Sequence, residues 1–445
     1  MDQQVLFDAG PGAEGQPTMP PPRVGAKRLR HAVRNQVAFR DCAVDELLPE
    51  DHQARIVWAY VCGLDLSERH ALVQAVEGGP GQAPADPRIL MTLWLYATLR
   101  GVGSGRELNR LCRDHVVYQW ICGDVSMNHH TLSDFRSLQA DLLDRLLTES
   151  VASLMAEGLV TLDRVAQDGR KVRASAGAAS FRRQPTLEEL LVDAEGQVAL
   201  LKRELESDPG AGRTRQQAAR QRAVDERAAR VRAALDQLPK IAASKKPKDR
   251  DKARASTTDA EARVMKMGDG GFRPAYNVQL ATTADTQIIT GVAVTNSGGD
   301  QGQLAPMVAQ HQQRYDETPQ EMLVDGGFVK KSDIDTVSAP HGTTTVYAPV
   351  MKSKDPNRDP HTPCDDDSPA VAEWRQRMAT DEAKTIYKQR ASTAECVHAL
   401  ARNRGLQRFL IRGLWKVKAV ALWYALAHNL MRAIALRAAA VRYSS

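Results

Sequence analysis

Between Leu187 and Leu238 the sequence leaves little freedom in what it can fold into. Leu187, Leu191, Ala194, Val198, Leu201 and Leu205 step by 4, 3, 4, 3 and 4. Asp208-Pro-Gly-Ala-Gly212 breaks the run, and Val224, Ala228, Val231, Leu235 and Leu238 resume it at 4, 3, 4 and 3. Apolar residues at that spacing form one stripe of a helix, and two such helices joined by a Pro-Gly turn fold back as an antiparallel hairpin. Pro239 is expected to end the second helix, with Ser244–Lys252 a basic, solvated link. At a rise of 1.5 Å per residue the first helix reaches about 30 Å. Such an arm projects from a globular body or lies across a partner.

Strand signals flank the hairpin on both sides. Upstream, Val160, Leu162 and Val165 lead into Gln167-Asp168-Gly169, and Lys171, Val172 and Arg173 continue an extended run. Downstream, Tyr276, Val278 and Leu280 alternate with polar residues, Ala284-Asp-Thr286 turns, and Ile288 to Thr295 returns. Asp300 reads as the N-cap of a helix from about Gln301 to Tyr315. Met322, Leu323 and Val324 then read as a short buried strand ending in Asp325-Gly-Gly, where the glycines let the chain turn and leave room beside the carboxylate. Thr343–Ala348 is a further strand, Met351–Asp367 a loop, and helical pattern fills the chain to about Arg442.

That order places three neighbouring strands first, then a helix, then a strand ending in an acid. It is the chain order of a ribonuclease-H-like sheet, in which the first and fourth strands lie side by side. The fold class expected is therefore α/β, a ribonuclease-H-like mixed sheet with a helical amino-terminal domain and a helical-hairpin insertion. Side-by-side strands would bring Asp168 and Asp325 together. Glu395, near the start of a later helix, is the candidate for a third carboxylate. Three converging carboxylates suit hard cations such as Mg²⁺, which remove the repulsion among them.

The amino-terminal part is helical from about Val44 to Glu149, with Ile89, Leu93, Tyr96 and Leu99 on one face. One helix is expected through Leu108, Leu111, Val116 and Trp120. A turn follows at Asp124–His130, and Thr131-Leu-Ser-Asp134 resembles a capping box opening the next helix. Helix, turn and capped helix fit a DNA reader as well as a plain bundle. Arg106, Arg110 and Arg136 are the candidate DNA contacts here.

Composition narrows the partners. Lys+Arg 60 against Asp+Glu 54 gives a mildly basic +6, as a polyanion-binding chain tends to have. Six cysteines form no C-x-x-C pair, and His361-x-x-Cys364 lacks the second half of a zinc site. The apolar runs Ile89–Leu99 and Ala419–Ala427 are shorter than the roughly 20 residues of a membrane span. The start of the chain does not read as a signal peptide. A cytoplasmic protein with no membrane partner is the expectation.

With these motifs in place, the chain resembles the DDE transposases of bacterial insertion sequences from about Phe39 to Arg432. Asp168-Gly-Arg-Lys-Val-Arg-Ala174 is similar to the family's first-acid motif and Asp325-Gly-Gly-Phe328 to its second. Tyr387-Lys-Gln-Arg390 followed by Glu395 is similar to the signature around the third, with Arg402 where that signature carries a lysine. The resemblance implies catalytic and metal-ligating roles for Asp168, Asp325 and Glu395, with Mg²⁺ as cofactor and Mn²⁺ as substitute. It implies DNA contacts at Tyr387, Lys388, Arg390 and Arg402. Element ends and target DNA are then the partners, a homodimer the state on DNA, and the nucleoid the place of action. The corresponding divisions are a basic arm at 1–43, a DNA-binding domain at 44–155, a catalytic domain at 156–432 with the insertion at 184–262, and a tail at 433–445. A ribonuclease-H-like nuclease and an inactive DNA-binding derivative are the readings left standing beside it.

Overall fold

Helices lead the chain because its amino-terminal third repeats apolar residues every three to four positions. The computed structural model describes residues 43–71, 83–207, 215–352 and 357–444. The basic arm expected before Ala43 and the Pro-Gly turn of the hairpin lie outside them. In order come α1 (Gln53–Cys62), α2 (Ser67–Ala71), α3 (Pro87–Leu99), α4 (Gly105–Asp114), α5 (Val116–Cys122), α6 (His129–Ser137) and α7 (Ala140–Ala156). Asp86 caps α3 by accepting from the Arg88 amide at 2.7 Å, with Pro87 at the first helical position. The single helix expected through Val116 is two, since His115 leaves the helical region and caps α5. Nor does α6 open at Thr131: Asn128 accepts from the His130 amide at 2.9 Å and starts the helix earlier.

The middle of the chain runs β1 (Arg164–Arg173), β2 (Phe181–Arg182), α8 (Gln184–Ser207), α9 (Arg215–Ala243), β3 (Ala255–Ser256), β4 (Arg263–Lys266), β5 (Phe272–Thr283) and β6 (Ile289–Thr295). Then follow α10 (Leu304–Tyr315), β7 (Glu321–Leu323), α11 (Lys331–Val337), β8 (Thr345–Tyr347), α12 (Pro369–Ala379) and α13 (Asp381–Arg390). A π-helical turn, Ala391–Glu395, joins α13 to α14 (Cys396–Asn403), and α15 (Leu414–Ser444) closes the chain.

The main sheet reads β6-β5-β1-β7-β8, antiparallel across its first three strands and parallel from β1 onward. That is the ribonuclease-H-like order anticipated above, with β4 added beside the first residues of β5. β7 and β8 are apolar runs covered on both faces, as parallel strands require.

Helices α8 and α9 pair antiparallel, with Arg232 bonded to Glu195 and Arg220 to Glu204. Leu187, Val231, Ala234, Leu238 and Ile241 form the buried seam, closed by Ala253 and Ala255. Contrary to expectation, Pro239 does not end α9, which continues to Ala243. The seam carries the helix past it, since burying Ile241 offsets the one amide bond a proline removes.

Val44–Ser445 pack as one compact unit. α15 is the reason. Trp423, Tyr424, Leu426 and Ala427 are buried in the same cluster as Trp94, Leu132 and Leu143 on one side and Val278, Ile289 and Val292 on the other. Trp423 Nε1 donates to the Arg136 carbonyl at 3.0 Å, and Asn429 bonds both the amide and the carbonyl of Ile289 at 2.8 Å. That amide side chain fills in for ladder bonds where the β5–β6 register shifts. By length and apolar composition α15 could cross a membrane, yet 72% of that window is buried, so it is a core helix. Residues 433–444 of the expected tail are its last turns.

Two buried histidines make stability pH-dependent. His311 bonds Thr290 and the Met307 carbonyl, each at 2.8 Å, and His428 bonds the Gln287 carbonyl at 2.8 Å. Burial pushes each ring down to about 4 from 6.5, so the folded protein resists protonation that the unfolded chain accepts. Their contribution is whole above pH 6.5 and is lost as pH falls toward 4. The expected slope approaches about 1.4 kcal/mol per pH unit for each ring. Urea unfolding of the wild type and of a His311→Gln, His428→Gln double variant at several pH values checks this: the variant must show a shallower fall.

Candidate active site

Asp168 and Asp325 are 157 residues apart in sequence, yet near each other in the fold. β1 pairs parallel with β7 through Arg164↔Glu321, Val165↔Met322 and Ala166↔Leu323. Two residues past Ala166↔Leu323 come Asp168, still on β1, and Asp325, just beyond the end of β7, near enough for the Asp325 charge to act on the Asp168 carboxyl. β7 stops at Leu323, and β1 finds its next partner on that edge only at Arg173, which bonds Gln407 and Phe409. The ladder is therefore open where the two acids stand. The Asp325 carboxylate accepts from the Gly327 amide at 2.8 Å, and a side chain at Gly327 would meet it at 3.0 Å. Gly327 thus leaves the room the sequence suggested, whereas a side chain at Gly326 would meet nothing within 4 Å.

Asp168 is four-fifths buried, with Arg390 Nη1 and His398 Nε2 each 3.8 Å from Oδ2. Burial pushes its carboxyl up to about 6; the Arg390 charge opposes the rise, and the Asp325 and Asp300 charges add to it. Two neighbouring carboxylates, one of them largely buried, could hold a cation, and oxygen donors suit a hard one such as Mg²⁺ or Mn²⁺.

Glu395 ends the π-helical turn and is exposed, while Ala394 beside it is buried. The side chains this helical run directs at Asp168 are Arg390 and His398. Tyr387 lies under Arg390, whose guanidinium stands 5.9 Å over its ring, while Lys388 and Arg402 are exposed.

Beneath β1, on the face opposite Asp168, lies an acid whose role the sequence concealed. Asp300 is not a helix cap, because α10 begins at Leu304 with Gln303 at its N-cap. Its carboxylate is buried and accepts from Asn277 at 2.6 Å, Gln279 at 2.7 Å and Lys171 at 3.2 Å. A β-carbon at Gly169 would sit 2.0 Å from Asp300 Oδ1. Gly169 follows Asp168 because the strand must be bare for Asp300 to lie against it. The alternation of polar residues at Gln167, Lys171, Asn277 and Gln279 was the available signal for this buried cluster.

Of the amino-terminal arginines, Arg106 and Arg110 are exposed on α4. Arg136 is a correction. Its guanidinium is turned inward, 4.9 Å over the Trp94 ring and bonded to the Gly103 carbonyl. Desolvation there holds it down at about 10. Arg136→Ala is expected to cost about 1–3 kcal/mol through the vacated, bonded site and to leave the salt dependence of DNA binding unchanged. A thermal melt and a salt titration of the variant decide between the two roles.

A second acidic group, Cys364 with Asp366 and Asp367, has ligand atoms within 4.8 Å of one another. Lys331 and Arg375 already neutralise Asp367, at 2.7 and 2.6 Å. It is an ion-pair cluster linking α11 to α12.

Two family models match the chain: one described as a transposase domain (DUF772), over residues 42–138, and one as a transposase DDE domain, over residues 352–434. No curated protein and no solved structure matches. The matched segments are remote in sequence, yet α15 packs against α3, α6 and α7, and Gly405 lies against the backbone of Gly101. Both ends of the sequence match transposase models, with a sheet of ribonuclease-H-like order between them, and together these support a DDE-type transposase of an insertion sequence.

Proposed function

We propose that this transposase binds the ends of its insertion sequence, cleaves them, and joins the freed 3′ hydroxyls to target DNA. The observation that supports the reading is the parallel register of β1 and β7, which runs up to two residues before Asp168 on one strand and before Asp325 on the other, and the charge of Asp325 acts on Asp168. Asp168, Asp325 and Glu395 are the residues that would hold divalent metal, Mg²⁺ with Mn²⁺ as substitute. When bound, such ions activate the attacking oxygen and stabilise the leaving oxygen of an in-line displacement at phosphorus.

The chain's own side chains prepare the site. Arg390, beside Asp168, offsets negative charge before DNA arrives, and with Tyr387, Lys388 and Arg402 it lines the path of the phosphate backbone. Glu395 closes the π-helical segment between α13 and α14, where a change of helical phase can redirect its carboxylate toward the aspartates. Such segments mark places where one residue more than the α-helical repeat is accommodated. Arg106 and Arg110 on α4 contact the element end. A dimer on DNA and a cytoplasmic, nucleoid-associated location follow from that role.

Joining is what separates a transposase from a nuclease. Pre-cleaved element ends with 3′ hydroxyls are incubated with the protein, Mg²⁺ and a supercoiled plasmid. Joint molecules are expected. Nicked plasmid without joined ends would make the chain a nuclease in action.

A further inference from the structure

The link that leaves the hairpin is no solvated spacer. Residues 240–254 hold seven Lys and Arg against two Asp, and the structure folds them into the last turn of α9 and a 3₁₀ helix, Pro247–Lys252. Together with β4 and the loop after β6 they wall a cleft of about 1000 Å³. Lys240, Lys245 and Arg254 line it with no carboxylate partner among the described residues. Glu261, the one acid lining it, is engaged by the Leu414 amide at 2.7 Å. Arg263 belongs to the wall, held by Gln237 and by the carbonyls of Ala260 and Ala262. Ser297 and Gly298 bring exposed backbone to the mouth, three and two residues before the Asp300 that underlies the acid notch.

The arm itself is different. Four of its arginines already have side-chain partners: Arg220 with Glu204, Arg230 with Glu226, Arg232 with Glu195 and Arg227 with Gln197, while Arg222 bonds a carbonyl of its own helix. At the root of the hairpin, where the chain returns to the sheet, Lys240, Lys245 and Arg254 stand together in one concave wall. An unpaired group of cations in a concave wall recruits a polyanion by releasing its counterions. Stacking on aromatic rings, the usual means of holding a single strand, is not available there, because Phe181 is the one aromatic lining residue and is buried.

We infer that this cleft at the root of the insertion is a second DNA site, which grips the phosphate backbone of a duplex without reading its sequence. It is separate from the arginines of α4 and from those beside the acids, and it rests on the transposase reading of the preceding section. It gives the insertion a role: to carry a cationic wall at the edge of the sheet.

The test is the salt dependence of binding to a 40-base-pair duplex of arbitrary sequence, measured by fluorescence anisotropy on the full chain. Each lost phosphate contact lowers the slope of log K against log salt by about 0.9. The combined variant Lys240→Ala, Lys245→Ala, Arg254→Ala is expected to lose about 2 to 3 from the slope. A charge-keeping variant, Lys240→Arg, Lys245→Arg, Arg254→Lys, is expected to retain it, which excludes misfolding as the cause. So is Arg232→Ala on the arm. A slope in the alanine variant equal to that of the wild type overturns the cleft while leaving transposition intact. If the wild type neither binds this duplex nor forms joint molecules, the DNA reading itself falls, and the cleft with it.

Discussion

Asp325→Asn is expected to leave affinity for an element end unchanged or slightly higher, and to lower Mg²⁺-dependent nicking by on the order of 10³-fold or more. The two effects separate because the groups that hold DNA and the group that holds metal differ. Arginine contacts to phosphate and base edges set affinity and register. A carboxylate repels DNA unless a cation stands between them, so its removal does not weaken binding. The loss in rate should exceed the roughly 10–100-fold that outer-shell changes produce, since a direct ligand is removed. Asp168→Asn should lose nicking equally, and it also leaves Arg390 without the acid 3.8 Å away. Gel shift on an element end, paired with nicking of the same end, decides the matter. Near wild-type nicking by the Asn variant would remove Asp325 from the metal site and the proposed chemistry with it.

The second large effect lies behind the acids. Gly169→Ala should destabilise the protein by about 3 kcal/mol or more, through overpacking and the breaking of buried polar bonds. A β-carbon there falls 2.0 Å from Asp300 Oδ1 and 2.3 Å from Gln279 Nε2. Neither atom is free to retreat, because Asn277, Gln279 and Lys171 all bond the Asp300 carboxylate. The clash predicts strong non-additivity: Asp300→Ala should be costly alone and cost far less in the Gly169→Ala background. Denaturation of the two single variants and the double variant measures it. Additive effects would mean that the strand shifts to make room and that Gly169 is a simple turn residue.

The local patterns were legible in sequence because their period is set by backbone geometry alone. Heptad steps from Leu187 gave the hairpin, alternation gave β5, and short apolar runs ending in Asp-Gly gave β1 and β7. Chain order even supplied the arrangement of the five strands, since short connections leave few topologies open. Tertiary structure alone decided the rest. Arg136 carries the same charge in sequence as Arg106, but the Trp94 ring and the Gly103 carbonyl draw it inward. Asp300 looked like a cap because capping is the local use of Asp, whereas its partners come from residues 23, 21 and 129 positions away. α15 reads as one more apolar helix until it is seen joining the amino-terminal helices to β6. Glu395 could be found by its spacing, but the direction it points is set by a π-helical turn that no periodicity announces. Periodicity tells which face of an element is apolar. Which distant element covers that face, and which charge is left without a partner, is fixed only when the whole core closes.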